Sequence, residues 1–201
     1  MIQSFFHPQK ALTIRTNKFG NFSEVTAFSQ AHQKKLVTME QVHGSDFTER
    51  TEFIEKIPGV DGVLTSNSRL LLTVKTADCL PILLYHPSGI VGAIHAGRKS
   101  TQQEILKKVL TFLKNGKHIT EGISLWFGPA ICEECYQIDR QTDTHYSLIA
   151  ENMAQAYQVF DPEKISLTVE GDCTECFSDE YHSYRVEGEG VQMNYFGIAL
   201  K

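Results

Sequence analysis

The chain has little that would take it to a membrane or to nucleic acid. No run approaches the roughly 18 consecutive apolar residues that a membrane-spanning helix needs. The opening MIQSFFHPQKALTI lacks a charged segment leading into a long apolar stretch, so a cytoplasmic location is the expectation. Positive charge is in deficit: the formal net charge is −5 and there is no basic stripe, which makes nucleic acid and anionic membranes poor partners. Internal repeats, low-complexity segments and Pro- or Gly-rich linkers are all missing, so residues 1–201 read as a single domain long enough to bury a core. Cysteine is scarce and odd in number. Five thiols argue against a closed disulfide framework, and in a reducing compartment they stand as thiols or metal ligands. Eight histidines, at 7, 32, 43, 86, 95, 118, 145 and 182, include no H-x-H pair.

What the chain does have is a series of short, strongly apolar runs. Leu36–Gln41, LLLTVKT (70–76), LPILLYH (80–86) and GIVGAIHAG (89–97) read as strands. Four or more consecutive apolar residues predict strands covered on both faces. GVDGVLTS (59–66) reads as loop and short strand, and GISLWFGPAI (122–131) as a strand broken by Gly128-Pro129. KISLTVEGDC and MNYFGIAL close the chain as strands, while residues 1–28 read as two short strands around the turn KFGNFS. The clearest helix starts at Ser100, a capping-box N-cap with Gln103 three residues on. It then repeats Ile105, Leu106, Val109, Leu110 and Leu113 at helical spacing as far as Asn115-Gly116. A second helix is predicted from about Asp143 to Tyr157. Strands and helices alternate only partly, so an α/β (α+β) fold with a mixed sheet and flanking helices is expected.

Three potential metal ligands fall at strand ends beside small residues: His43 in QVHG, Cys79 in TADC and His95 in HAG. Zinc favours imidazole and thiolate, and a catalytic zinc takes three protein ligands and keeps a fourth position for water or substrate. Copper binds such a set at least as tightly. Without metal, Cys79 and His95 read instead as the dyad of a thiol hydrolase. Asp78 is a candidate proton shuttle, provided TADC turns, because adjacent residues on a strand point to opposite faces. Lys99, at the start of the predicted helix, is a candidate anion holder. Lys18 and Arg185 join it only if the fold brings them near.

EQVHG, DGVLT, TADCLPILL, GAIHAG, FGPAI and the late CT…SYR occur in this order over nearly the whole chain. Together they resemble the YfiH-type laccase-domain family, bacterial multifunctional purine nucleoside phosphorylases also labelled polyphenol oxidase. The resemblance implies a layered α/β/β/α fold with mixed sheets (CNF1/YfiH-like) and zinc held by His43, Cys79 and His95. It also implies phosphorolysis of adenosine, inosine, guanosine or methylthioadenosine, with deamination of adenosine as a second activity; the partners are then a purine nucleoside and phosphate. In deamination, zinc would activate water for attack at C6 of adenine. In phosphorolysis, Lys18, Lys99 and Arg185 are the candidate phosphate holders. The family's usual HAGWRG reads His95-Ala96-Gly97-Arg98-Lys99-Ser100 here, TRxGGVS reads TNKFGNFS, and SYRR is reduced to Ser183-Tyr184-Arg185-Val186. Lysine replaces arginine twice, exchanging a two-pronged donor for a point charge. The family label also implies copper oxidation. Multicopper chemistry draws on H-x-H pairs, which the chain lacks, so any copper would sit alone at the three ligands.

Cys132-Glu-Glu-Cys135 and Cys173-Thr-Glu-Cys176 form two C-x-x-C pairs, the pattern of a four-cysteine structural zinc site. Thirty-seven residues separate them, so the fold must bring them together. A zinc-stapled binding module without catalysis is the non-enzymatic alternative.

Overall fold

The apolar runs become two mixed sheets stacked face to face. The computed structural model of the chain describes residues 11–201. The first sheet runs in the order β1 (Ala11–Arg15), β13 (Asn194–Leu200), β6 (Leu70–Thr76), β2 (Lys35–Met39) and β4 (Lys56–Ile57). The second runs β12 (Ile165–Val169), β9 (Ile123–Phe127), β7 (Leu80–His86), β8 (Ile90–Ala96), β5 (Gly62–Thr65) and β3 (Phe47–Glu49). Both contain parallel and antiparallel pairs. A two-stranded hairpin, β10 (Gln137–Asp139) and β11 (Thr144–His145), stands apart. The helices are α1 (Phe22–Ala31), α2 (Arg98–Gln102), α3 (Ile105–Gly116), α4 (Leu148–Val159) and α5 (Tyr184–Glu187). Among the described residues no helix is long and apolar enough to cross a membrane.

Side-chain parity explains why the strand sequences are apolar throughout. Along β7, Leu80, Ile82 and Leu84 pack under α3 and α4, while Leu83 and Tyr85 face the other sheet. Along β8, Ile90, Ile94 and Ala96 take the helix side and Val91 and Ala93 the inter-sheet side. Successive residues of a strand point to opposite faces, and here both faces are covered. On the outer side of the first sheet, Ile14, Leu71 and Ala199 pack against Val25 and Phe28 of α1. The layers are therefore α, β, β, α, as the resemblance implies. Cys79 and His95 carry the odd parity of Leu83, Val91 and Ala93, which puts both at the end of the inter-sheet face.

Three expectations shift. The stretch ending at residue 28 holds one strand and one helix instead of two strands, and its first ten residues lie outside the described ones. Asn21 caps α1 by accepting the Ser23 amide at 2.8 Å, and Val25, Phe28 and Ser29 at helical spacing turn inward. Ser100 is not an N-cap: it is buried within α2, and Glu104 at φ 61° separates that helix from α3. The apolar stripe from Ile105 to Leu113 is fully buried and so sets where the longer helix begins. The second predicted helix starts at Leu148, capped by Ser147, because Thr144 and His145 pair in the hairpin.

Candidate metal centre

Asp61 is the hub that brings distant residues together. It lies just before β5, is fully buried, and accepts the amide hydrogens of Val42, His43 and Gly44 at 3.2, 3.0 and 2.7 Å. Its carbonyl accepts the His95 amide at 2.7 Å, and its Oδ1 accepts the His95 Nδ1 proton at 2.7 Å. The loop after β2 is thereby tied to the end of β8. His43 takes φ 58°, a left-handed conformation uncommon outside glycine. With Nδ1 engaged, His95 presents Nε2 to the thiol side, the arrangement by which a buried carboxylate orients a ligating imidazole.

The structure brings together all three predicted ligands. One donor atom each from His43, Cys79 and His95 lies within 4.8 Å of the others. The two imidazoles meet edge to face, with ring centroids 4.8 Å apart. His95 is buried, Cys79 half-buried and His43 exposed, so the cluster opens to solvent on one side. Gly97 lines it: a Cβ there would come within 3.0 Å of Cys79 Sγ and 3.1 Å of His43 Cδ2. Burial alone would raise the Cys79 thiol, but hydrogen bonds to His43 and His95 and their charge outweigh it and bring it down to about 7. Burial would lower His95, yet its bonds to Asp61 and Cys79 raise it to about 9. Burial likewise works against the Asp61 carboxylate, and the His95 and backbone bonds still hold it below its ordinary value.

Asp78 has turned, at φ 83°. Its Oδ1 accepts the Thr174 hydroxyl at 2.7 Å and its Oδ2 accepts the Arg185 amide at 2.7 Å. Arg185 is brought to the site: its guanidinium lies 5.7 Å from the centre of the Tyr136 ring and donates to the Gln137 carbonyl at 3.1 Å. Lys18 is committed nearby, donating to the Ser178 carbonyl at 2.6 Å and pairing with Glu187 at 3.5 Å. Lys99 is exposed within α2, whose five residues leave little helix dipole to hold an anion.

Sequence reasoning missed Asp61, Thr174, Arg98 and Tyr136. Burial and the Cys79 charge raise the Tyr136 phenol, while Arg98 and Arg185 oppose them, so both arginines lie close to Tyr136. Asp61 lies in DGVLT, a motif carrying the resemblance, but a lone aspartate before a strand gives no sign of three-amide coordination.

A family model described as multi-copper polyphenol oxidoreductase laccase matches residues 19–199. The chain belongs to this family. Within this laccase family, "Purine nucleoside phosphorylase RC0672" of Rickettsia conorii is 34% identical over 122 residues, 59% of this chain and 48% of the relative. "Purine nucleoside phosphorylase YlmD" of Geobacillus stearothermophilus is 33% identical over 136 residues, 62% and 50% of the two. In sequence, the chain spans about half the length of the curated relatives it matches. In structure, it matches the YlmD crystal structure with a TM-score of 0.82 at 24% identity, over 95% of this chain and 92% of that one. The Bacillus licheniformis protein YfiH gives 0.82 at 18% identity, over 98% of each. These likenesses bear out the layered fold.

Proposed function

We propose that this laccase-family chain is a zinc-dependent purine nucleoside phosphorylase of the cytoplasm. In this reading it cleaves adenosine, inosine, guanosine or methylthioadenosine with phosphate and also deaminates adenosine. The observation that carries the reading is the convergence of His43, Cys79 and His95, with Asp61 holding His95. Three mixed nitrogen and sulfur donors on a solvent-open wall suit a catalytic zinc that keeps one position free. Gly97 supplies the room beside the sulfur. When bound, zinc supplies Lewis-acid chemistry and a water activated at neutral pH.

The chain's own groups do the rest. Asp61 holds the His95 ring and the His43 loop in place. Arg98 and Arg185 offer the cationic wall for phosphate, displacing Lys99 and Lys18 from the first rank of holders, and Tyr136 borders that wall. In phosphorolysis a phosphate oxygen bonds to C1′ as the C1′–N9 bond breaks. The purine leaves with the bonding pair and gains a proton. Asp78 braces the turn carrying Cys79 and so positions that ligand. The names of the relatives support the substrate class.

Three of the described histidines outside the cluster are held elsewhere: His86 by Ser88 and the Glu121 carbonyl, His145 by the Glu133 carbonyl, His182 by Glu187. In this reading His43, Cys79 and His95 hold one metal between them. One observation favours a second reading, a metal-free thiol hydrolase: Cys79 near 7 beside two imidazoles is an activated nucleophile.

The test is release of hypoxanthine from inosine, with and without phosphate, by wild type and by Cys79→Ala of measured metal content. Phosphate-dependent release of base and ribose 1-phosphate is expected, with loss of one metal and at least about 100-fold of the rate in the variant. Phosphate-independent turnover that survives metal removal and stops on thiol alkylation would overturn the zinc reading in favour of the thiol.

A further inference from the structure

The two C-x-x-C pairs are brought together by strand pairing. β12 lies parallel to β9, from Ile165 opposite Ile123 to Val169 opposite Phe127. The pairing resumes beyond the strands as a parallel bridge between Ala130 and Cys173. Ala130 donates to the Asp172 carbonyl at 3.3 Å, and Thr174 donates back to the Ala130 carbonyl at 3.2 Å. The chain segments leaving the two strands therefore run side by side, and each at once makes a turn bearing two cysteines. In one, the Tyr136 amide donates to the Cys132 carbonyl; in the other, the Phe177 amide donates to the Cys173 carbonyl, each at 2.9 Å.

The four sulfurs lie within 4.8 Å of one another, and those of Cys135 and Cys176 are 3.5 Å apart. Four thiolates around one zinc at about 2.3 Å would stand at nearly this spacing. All four are free thiols. The Cys132 amide points at Cys173 Sγ, 3.2 Å away, a donor that a metal-bound thiolate accepts and a neutral thiol accepts only weakly. Glu133, Glu134 and Glu175 sit between the cysteines. Four thiolates in that acidic setting need a cation, and a divalent one supplies the missing charge. A zinc held by all four would have every coordination position filled by sulfur, with none left for water.

We propose that Cys132, Cys135, Cys173 and Cys176 hold a second zinc, a structural one, which locks the ends of β9 and β12 together. Its position gives it a further consequence. The Ile131 amide donates to the Asp78 carbonyl at 2.9 Å and the Thr174 hydroxyl to the Asp78 carboxylate at 2.7 Å, so both turns brace the residue preceding Cys79. The staple holds still the bend that presents Cys79. None of this depends on which reaction the first centre performs.

The chain has five cysteines, so Cys79→Ala leaves only these four. In the reduced, cobalt-loaded Cys79→Ala variant, thiolate-to-cobalt charge-transfer absorption can then arise from nowhere else. We expect that absorption and about one tightly held metal per chain, against about two in the wild type. The double variant Cys135→Ser/Cys176→Ser should lose that second metal, melt at a lower temperature and keep the first centre's metal. A Cys79→Ala protein with no thiolate–cobalt band would overturn the proposal, whether or not the double variant folds. So would two disulfides among the four sulfurs of freshly isolated protein. Nucleoside turnover is unaffected as evidence by either outcome.

Discussion

The two cysteine-bearing clusters meet at one bend, Asp78-Cys79, and they are built on opposite plans. The first gathers single residues from three separate strand ends, at 43, 79 and 95, and mixes imidazole with thiolate. Its geometry depends on a buried carboxylate that belongs to none of those ends. The second gathers two local turns, all sulfur, and needs only that two neighbouring strands stay parallel. A three-donor set open to solvent through His43 leaves space for chemistry, whereas a four-donor set has no position to spare. The difference teaches where reactivity can reside: the first cluster is open to solvent through His43, and the second, once it holds the proposed zinc, would add rigidity to the bend they share.

Breaking the hub of the open site should have the largest effect. Asp61→Asn keeps the volume but removes the charge and one acceptor from His95 and the 42–44 amides. Metal affinity at the first centre should fall about 10- to 100-fold by competition titration, while the four-sulfur metal stays bound. If both metals leave together, the two centres are not independent. Thr174→Val probes the bridge between them. It strips a hydroxyl from the buried Asp78 carboxylate at a cost of about 1–3 kcal/mol. That lowers the melting temperature by roughly 2–4 °C per kcal/mol in a domain of this size. The metal count should not change. Smallest is Gly97→Ala: the backbone there is extended at φ −77°, so the added methyl is free of strain but crowds Cys79 Sγ at 3.0 Å. Metal binding at the open site should weaken roughly tenfold, about 1.4 kcal/mol, with the melting temperature nearly unmoved. Unchanged affinity would show that the sulfur can shift away.

Much of the sheet content was legible in the sequence because apolar runs such as LLLTVKT and LPILLYH mark strands covered on both faces, and both match their observed bounds. The helices were read less well at their ends. Ser100 carries an N-cap signal that its burial within α2 overrides, and α1 turns only the short stripe of Val25, Phe28 and Ser29 inward. At the site, ligand types and strand-end positions were readable as His43, Cys79 and His95. The surroundings of the candidate anion holders were not, since they depend on long-range contacts: Lys18 is spent on Ser178 and Glu187, and Arg98 and Arg185 flank Tyr136.

By itself the sequence determined the long apolar strands, which residue types are able to bind a metal, and that two C-x-x-C turns exist. Those features are local: periodicity, turn residues and donor chemistry are written in consecutive positions. Only the tertiary structure decided that residues 43, 79 and 95 share one wall, that Asp61 anchors it, and that the two cysteine turns meet. Each of these is a long-range pairing set by sheet order and strand register, and no stretch of neighbouring residues encodes it alone.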